Sequence, residues 1–414
     1  MRLLAFLLRR LIRRGVLVVV DAAGRTHRFG EPAPAAPDAT IRFTDRATPR
    51  RAALDPALAL GEAYVDGRMV IDGDDIRGFL DLIGRNTHWD DDDAADLRWW
   101  RPWRRSAVLT GINWRRRARR NVAHHYDLST ELYALFLDPE LHYSCAYFDA
   151  PDATLEQAQA AKLRHITDKL ALRAGDRVLD IGCGWGGLAL HLHRVAGVEV
   201  LGITLSEQQL AVARRRADEA GVADHVRFEL LDYRDVRGTF DRIVSVGMFE
   251  HVGPPHYRAF FRHCRALLAE DGVMLLHTIG RADGPAATDR WLARYIFPGG
   301  YVPALSQITP AIEDARLWVT DIETLRLHYA LTIDRWLARV EAARAAIEAL
   351  YDARFYRMWR FYLAGALVAF RHDGHLNYQI QLTRRREALP LTRDYMMPPG
   401  AQRAAQPAIG ASGL

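Results

Sequence analysis

The sequence predicts an α/β protein with a doubly wound, mostly parallel sheet and a smaller N-terminal domain. Five short apolar runs are separated by helical stretches, which is typical of alternating strands and helices in a parallel sheet. The runs cover 178–181, 198–204, 226–233, 240–246 and 272–277. A glycine cluster directly follows the first run. The chain has 414 residues and is 49% hydrophobic, so it can bury two cores.

The glycine cluster follows Asp180 and predicts a tight turn that carries a ligand. Glycines at 182, 184, 186 and 187 let a nucleotide-like group approach the backbone, and the next helix directs its N-terminal amides there. Alone the cluster is weak evidence, because it departs from the G-x-G-x-x-G spacing and a turn without a ligand can look the same. However, an acid at 180 suits the cationic methionyl part of S-adenosylmethionine better than a pyrophosphate. We therefore predict a class I S-adenosylmethionine-dependent methyltransferase fold.

The chain divides into four predicted parts. We expect an N-terminal accessory domain over 1–97, a basic linker over 98–120, a catalytic domain over 121–397 and a disordered tail over 398–414. In the first part, residues 3–14 predict a basic amphipathic helix and 16–29 a hairpin. We favour the helix as part of the domain over a free membrane anchor. Further helices are predicted over 55–65 and 76–83, with a turn at 64–68.

Charge and composition limit the partners and the cellular compartment that the sequence predicts. Residues 98–120 carry nine arginines, four tryptophans and no carboxylate. A solvated linker, a lipid headgroup layer and a nucleic acid all fit this segment, but no nucleic-acid-binding module accompanies it. The arginines on both sides of the first apolar run argue against a signal peptide. Three scattered cysteines predict neither disulfides nor a metal site, and suit a reducing cytoplasm.

The catalytic part contains further predicted elements around the sheet. Helices are expected over 130–137, 154–170, 329–350 and 354–371, with a final strand near 378–382. Residues 291–301 are aromatic and rich in turn formers, which suits a cap over an apolar substrate.

Several motifs together resemble one family. The chain is similar to cyclopropane-fatty-acyl-phospholipid synthases and, more distantly, to mycolic acid cyclopropane synthases. The motifs are HHYDLS (124–129), YSCAYF (143–148), VLDIGCGWGG (178–187), GITLSEQQ (202–209), DYRD (232–235), FDRIVSVGMFEHVG (240–253), LHTIG (276–280), YIFPGG (295–300) and FYRMWRFYLAGA (355–366). The chain departs from the family pattern at Ser129-Thr130, at His256 and in the last strand, which has no cysteine.

The resemblance implies two groups of site residues. Contacts to S-adenosylmethionine are expected at Tyr143, Ser144, Asp180, Gly182, Gly184, Trp185, Gly186, Thr204, Gln209 and Tyr233. A bicarbonate ion is expected at Cys145, Glu250, His277, Ile279 and Tyr362, with Cys145 and Ile279 acting largely through backbone groups. Taken singly, these residues also have structural interpretations: Cys145 and Ile279 as core residues, Glu250 as part of a surface pair with His251, and His277 as a satisfied core histidine.

The resemblance also implies a reaction. The expected enzyme transfers a methylene group from S-adenosylmethionine to the cis double bond of unsaturated acyl chains in membrane phospholipids, forming a cyclopropane ring, with bicarbonate as the base. The alternatives are a methyl-branched product, methylation of a small-molecule amine, or a lipid-binding protein that retains a cofactor fold. We expect peripheral association with the inner face of the cytoplasmic membrane and no nucleic acid partner, and the sequence leaves a homodimer open.

Overall fold

The N-terminal part forms a small sheet covered by helices. A computed structural model describes residues 1–34, 36–89 and 128–397. The elements before residue 90 are α1 (Arg2–Leu11), β1 (Leu17–Val20), β2 (Thr26–Phe29), β3 (Ala39–Phe43), α2 (Thr48–Leu54), α3 (Pro56–Val65), β4 (Met69–Ile71) and α4 (Ile76–Asn86). The strands form a four-stranded sheet in the order β2-β1-β3-β4.

A seven-stranded sheet forms the centre of the larger part. Its strands are β5 (Arg177–Ile181), β6 (Glu199–Thr204), β7 (Val226–Leu230), β8 (Phe240–Val246), β9 (Leu268–Arg281), β10 (Trp318–Leu325) and β11 (His375–Thr383). They lie in the order β10-β11-β9-β8-β5-β6-β7. Strands β5 to β9 are parallel to one another, whereas β11 is antiparallel to both β9 and β10. The predicted doubly wound, mostly parallel sheet is confirmed.

Helices cover both faces of this sheet. They are α5 (Thr130–Ala134), α6 (Leu155–Leu170), α7 (Gly187–Ala196), α8 (Glu207–Glu219), α9 (Tyr257–Leu267), α10 (Arg290–Tyr295), α11 (Leu305–Asp314), α12 (His328–Ala342), α13 (Arg344–Leu350) and α14 (Ala353–His372). Side chains alternate along each strand, so Val178 packs with α6, α7 and α8 while Leu179 packs with α9 and α11.

The N-terminal part shares a core with the helices that follow the sheet. One continuous hydrophobic cluster joins Leu4, Phe43 and Phe79 to Trp336 and Trp359. Arg360 of α14 adds a polar contact, because its guanidinium lies 2.8 Å from Glu341, 2.8 Å from an Asp74 carboxylate oxygen and 3.2 Å from the Tyr64 hydroxyl. Helices α12 and α14 of the larger part are therefore held against the N-terminal part.

Most predicted elements are confirmed, but β3 and β4 were not predicted, and three further points need correction. Strand β10 is an edge strand missed in the sequence, because its exposed positions and its Thr, Asp and Glu residues hide the apolar alternation. The helix predicted over 329–350 is two helices, α12 and α13, and the one predicted over 130–137 ends at Ala134. The predicted linker and tail lie outside the described residues. No helix in the described part is long and apolar enough to cross a bilayer.

Arg360 provides a test of the contact between the two parts. Arg360→Ala removes hydrogen bonds to charged groups in a largely buried setting, so we expect the free energy of unfolding to fall by about 2 kcal/mol. Arg354→Ala is the matched control, since Arg354 is half-exposed and its pair with Asp66 is a surface contact worth under about 1 kcal/mol. Urea unfolding measures both, and equal losses would contradict the assigned role of Arg360.

Candidate cofactor pocket and adjoining acid-base cluster

A deep pocket lies at the carboxyl ends of three neighbouring parallel strands. Asp180 and Ile181 end β5, Thr204 ends β6 and Val246 ends β8, and all four line the pocket. This edge is where open parallel sheets bind their ligands, because the loops that leave adjacent strands diverge there. Tyr143 closes another side of the pocket. Nine of the ten predicted cofactor residues line it, and Gly186 is the exception.

The glycine turn has the backbone conformation that requires glycine. Gly182 and Gly186 have φ angles of 88° and 85°, in the left-handed region that side chains disfavour. A Cβ at Gly182 would lie 2.8 Å from Met248, and one at Gly186 would lie 2.7 Å from the Phe228 ring. Gly184 has open space around it and faces the pocket. Gly186 thus allows close packing of the turn, and its predicted contact with the cofactor stays a prediction.

Asp180 presents an uncompensated carboxylate oxygen to this pocket. The side chain is buried, and its Oδ2 has no hydrogen-bond partner among the described residues. Burial raises the pKa of the carboxyl to about 7, against the opposing effect of the nearby Lys162 ammonium. A cationic group in the pocket would favour the ionised carboxylate. The donor set therefore fits the methionyl end of S-adenosylmethionine.

Lys162 is a functional candidate that the sequence reasoning missed. It lies on the buried side of α6, and its Nζ donates a hydrogen bond to Ser144 Oγ at 3.0 Å. Burial lowers the pKa of the ammonium to about 8. A sequence signal existed, because Ala158, Lys162 and Ile166 recur at helical spacing on one side of the predicted helix. A lysine on such an apolar side is uncommon without a specific role.

His142 also lines the pocket and lies two residues before Ser144 in the chain. Its Nδ1 lies 2.8 Å from Asp138 Oδ2, while its Nε2 has no partner among the described residues. Burial lowers the pKa of this imidazole, although the neighbouring Asp138 carboxylate opposes the shift. The pocket thus has a second polar atom available to a ligand.

The end of β6 carries the predicted substitutes for an acidic residue. Thr204 Oγ1 donates to Gln209 Oε1 at 3.1 Å, and both side chains are buried at the pocket wall. Because this hydrogen bond uses the amide oxygen of Gln209, the amide NH2 is the group that can donate to a ligand hydroxyl. Ser206 caps α8, because its Oγ accepts a hydrogen bond of 3.3 Å from the backbone N–H of Gln209. Tyr233 lines the same wall.

A second polar cluster lies beside the pocket and contains Glu250. This residue follows β8 in a short helical turn, and its Oε1 accepts a hydrogen bond of 2.6 Å from the Ile279 backbone N–H in β9. Its Oε2 is buried and has no partner among the described residues. Burial raises the pKa of Glu250, so the neutral acid is favoured more than in water.

His277 lies on β9, two residues before Ile279, and its imidazole is neutral. Burial lowers its pKa to about 3. Gln379 lies 3.1 Å from Nδ1 and Asn377 lies 3.4 Å from Nε2, both on β11. A neutral imidazole donates from one nitrogen and accepts at the other, so one of these amides must present its oxygen. The two amides therefore hold the ring in place and occupy both of its nitrogens.

Tyr143 connects the pocket to the remaining predicted residues. Its hydroxyl lies 2.8 Å from the hydroxyl of Tyr362, whose ring meets Phe297 edge to face at 5.7 Å. Cys145 is buried, and burial raises the pKa of its thiol. Cys145, Tyr362 and Ile279 belong to one hydrophobic cluster. None of the five residues predicted for bicarbonate lines the cofactor pocket itself.

Comparisons with known proteins agree with this architecture. The family described as mycolic acid cyclopropane synthetase matches residues 113–380. A probable fatty acid methyltransferase of Pseudomonas putida is 40% identical over 77% of this chain and 80% of its own length. The cyclopropane-fatty-acyl-phospholipid synthase of Escherichia coli K12 is 42% identical over 63% of this chain and 66% of its own.

A solved structure gives the same result. Mycolic acid cyclopropane synthase CmaA1, complexed with SAH and CTAB, aligns with a TM-score of 0.61 and 35% identity, covering 64% of this chain and 97% of that one. The predictions of family, fold class and enzyme class are therefore confirmed. The chain belongs to the mycolic acid cyclopropane synthetase family and has the fold of S-adenosylmethionine-dependent methyltransferases.

Proposed function

We propose that this enzyme converts cis double bonds in the acyl chains of membrane phospholipids into cyclopropane rings. The observation that carries the proposal is the hydrogen bond between Tyr143, which lines the cofactor pocket, and Tyr362, which lies in an apolar cluster. This contact brings the methyl donor next to a dry, aromatic environment. Such an environment suits an alkene and the cation that forms from it.

Four pocket residues account for cofactor binding in this proposal. Asp180 faces the cationic methionyl group, Thr204 and Gln209 hold the ribose hydroxyls, and Tyr233 lies beside the adenine. The cofactor supplies a methyl group on a positively charged sulfur, which is a strong electrophile. The chain has to orient this methyl group toward the alkene and exclude water.

Ring closure requires a base, and the cluster offers few. The imidazole of His277 is a weak base because burial lowers its pKa to about 3, and burial keeps the Cys145 thiol protonated. Bicarbonate would supply a proton acceptor at this point. Glu250 would hold it by sharing a proton through the unpartnered Oε2, with Tyr362 as a hydrogen-bonding group. The two nitrogens of His277 already face Gln379 and Asn377, so His277 reaches a bound anion only if one of those contacts opens. The backbone N–H of Ile279 already donates to Glu250, so it reaches a bound anion only if that bond opens.

Three aromatic residues, Tyr143, Tyr147 and Phe297, are candidates to stabilise the cation, and their surroundings separate them into two groups. Tyr143 and Phe297 both contact Tyr362. Tyr147 instead stacks between His165 and His328, at 4.3 Å and 4.8 Å between ring centroids. We therefore assign cation stabilisation to Tyr143 and Phe297 only.

The proposal includes the organisation of the chain and its place in the cell. We infer an accessory domain over 1–97, a linker over 98–120 and a catalytic domain over 121–397, acting at the inner face of the cytoplasmic membrane. The phospholipid substrate is supported by the name of the Escherichia coli relative. A methyl-branched product is the second candidate, since the Pseudomonas putida relative is named a probable fatty acid methyltransferase.

The product distinguishes these two candidates. We expect expression in a host without cyclopropane lipids to convert monounsaturated chains into cyclopropane chains, because the chain provides a site for a base as well as a methyl donor. Mass spectrometry after derivatisation separates rings from methyl branches. Methyl-branched chains without rings would support the second candidate. Unchanged lipids in cells that contain the folded, cofactor-binding enzyme would contradict both.

Glu250 tests the assignment of the base site. Glu250→Gln keeps the size of the side chain but cannot share a proton, so we expect kcat to fall by about 100-fold or more. Cofactor affinity should not change, because Glu250 does not line the cofactor pocket. Glu156→Gln is the control, since Glu156 forms a surface pair with Arg339. Ring formation from purified lipid measures both, and an unchanged kcat for Glu250→Gln would exclude this role.

A further inference from the structure

The outer side of α1 is basic and apolar at once. At 100° per residue, Arg2, Leu3, Phe6, Arg9 and Arg10 fall within an arc of about 120° on the helix. All five are exposed, and Leu3 and Phe6 keep 48% and 51% of their surface accessible. The opposite side, with Leu4 and Leu8, packs into the core. Leu3 and Phe6 therefore do not contribute to the core that the opposite side of α1 packs into.

Helix α2 packs against α1 and adds further exposed residues next to it. Arg46, Arg50 and Arg51 are exposed there, and Leu54 keeps 65% of its surface accessible. We call these four residues and the five of α1 the basic face. It contains exposed leucines and a phenylalanine between guanidinium groups, and no carboxylate.

The arginines of the basic face differ from others in the same part of the chain. Within residues 1–34, 36–89 and 128–397, none of the six forms an ion pair with a carboxylate. By contrast, Arg25, Arg42, Arg77 and Arg85 all do. Arg10 lies over the Phe6 ring at 5.3 Å. The basic face thus presents unneutralised positive charge around apolar tips.

The basic face connects structurally to the segment predicted to cap the substrate. Asp55, between α2 and α3, pairs with Arg290 at 2.5 Å, and Glu62 of α3 accepts a hydrogen bond from the Tyr295 hydroxyl at 2.9 Å. Two residues beyond α10, Phe297 meets Tyr362. The residues that follow α2 therefore contact Arg290 and Tyr295 of α10, and Tyr295 belongs to the predicted cap.

We propose that the basic face docks on an anionic phospholipid bilayer. Guanidinium groups match lipid phosphates, while Leu3, Phe6 and Leu54 can enter the boundary between headgroups and acyl chains. A nucleic acid would match the charge but would leave the three apolar side chains in water. This inference deepens the proposed function, on which it rests for its purpose, because it names the surface that brings the enzyme to its lipid.

Vesicle binding tests the basic face without requiring turnover. The full-length enzyme is sedimented with vesicles of phosphatidylglycerol and phosphatidylcholine, or of phosphatidylcholine alone. We expect binding to the anionic vesicles only, and a more than tenfold weaker affinity for the double variant Arg9→Glu/Arg10→Glu. Leu3→Ser/Phe6→Ser, which keeps the charge, should also weaken binding.

The control has the same change in net charge at a distant site. Arg215→Glu/Arg227→Glu alters α8 and β7, at the far edge of the large sheet, and should bind vesicles like the wild type. Equal weakening in this control, or unchanged binding in both basic-face variants, would overturn the proposal. So would charge-dependent binding of duplex DNA by the basic face with no loss of vesicle binding in the variants.

Activity on detergent-dispersed phospholipid separates this proposal from the proposed function. The basic-face variants should cyclopropanate dispersed lipid at the wild-type rate, because the face lies outside the cofactor pocket and the cluster around Glu250. A wild-type enzyme that binds anionic vesicles but forms no rings would contradict the proposed function while supporting the docking surface.

Discussion

The burial of Asp180 at the end of β5 is the constraint on which the site depends. A carboxylate in a nearly dry position is costly unless a cation compensates it, and Oδ2 has no partner among the described residues. Lys162 is close enough to lower the carboxyl pKa but donates its hydrogen bond to Ser144. A cationic ligand would therefore compensate the buried carboxylate of Asp180. The glycine turn leaves space beside the backbone for such a ligand.

The chemistry is divided between two neighbouring environments. The cofactor pocket is polar at one end, with Asp180, Thr204 and Gln209, whereas the region around Tyr362 and Phe297 is aromatic and dry. Tyr143 belongs to both, and in the proposed reaction it would lie between the methyl donor and the alkene. The N-terminal helices α3 and α4 pack on α14, which carries Tyr362, so the position of Tyr362 depends on packing outside the large sheet.

The sequence predicts the fold well where burial acts on both faces of a strand. Strands β5, β8 and β9 are largely buried and appear as apolar runs for that reason, whereas the edge strand β10 exposes Trp318 and Val319 and buries Asp321. Motifs identify the pocket residues, but they do not show that Lys162 turns inward or that Gly186 packs against Phe228. The bond between Glu250 and Ile279 depends on how a short turn meets β9, which no local pattern encodes.

Titration of S-adenosylmethionine into the wild type and Asp180→Asn tests the central claim about Asp180 most directly. Asparagine keeps the size of the side chain and removes its charge. We expect the affinity to fall more than tenfold in the variant. The wild-type affinity should rise several-fold from about pH 6 to about pH 7.5, as the carboxyl with a pKa of about 7 ionises, and the variant should lack this rise. Equal affinities with the same pH dependence would contradict the account.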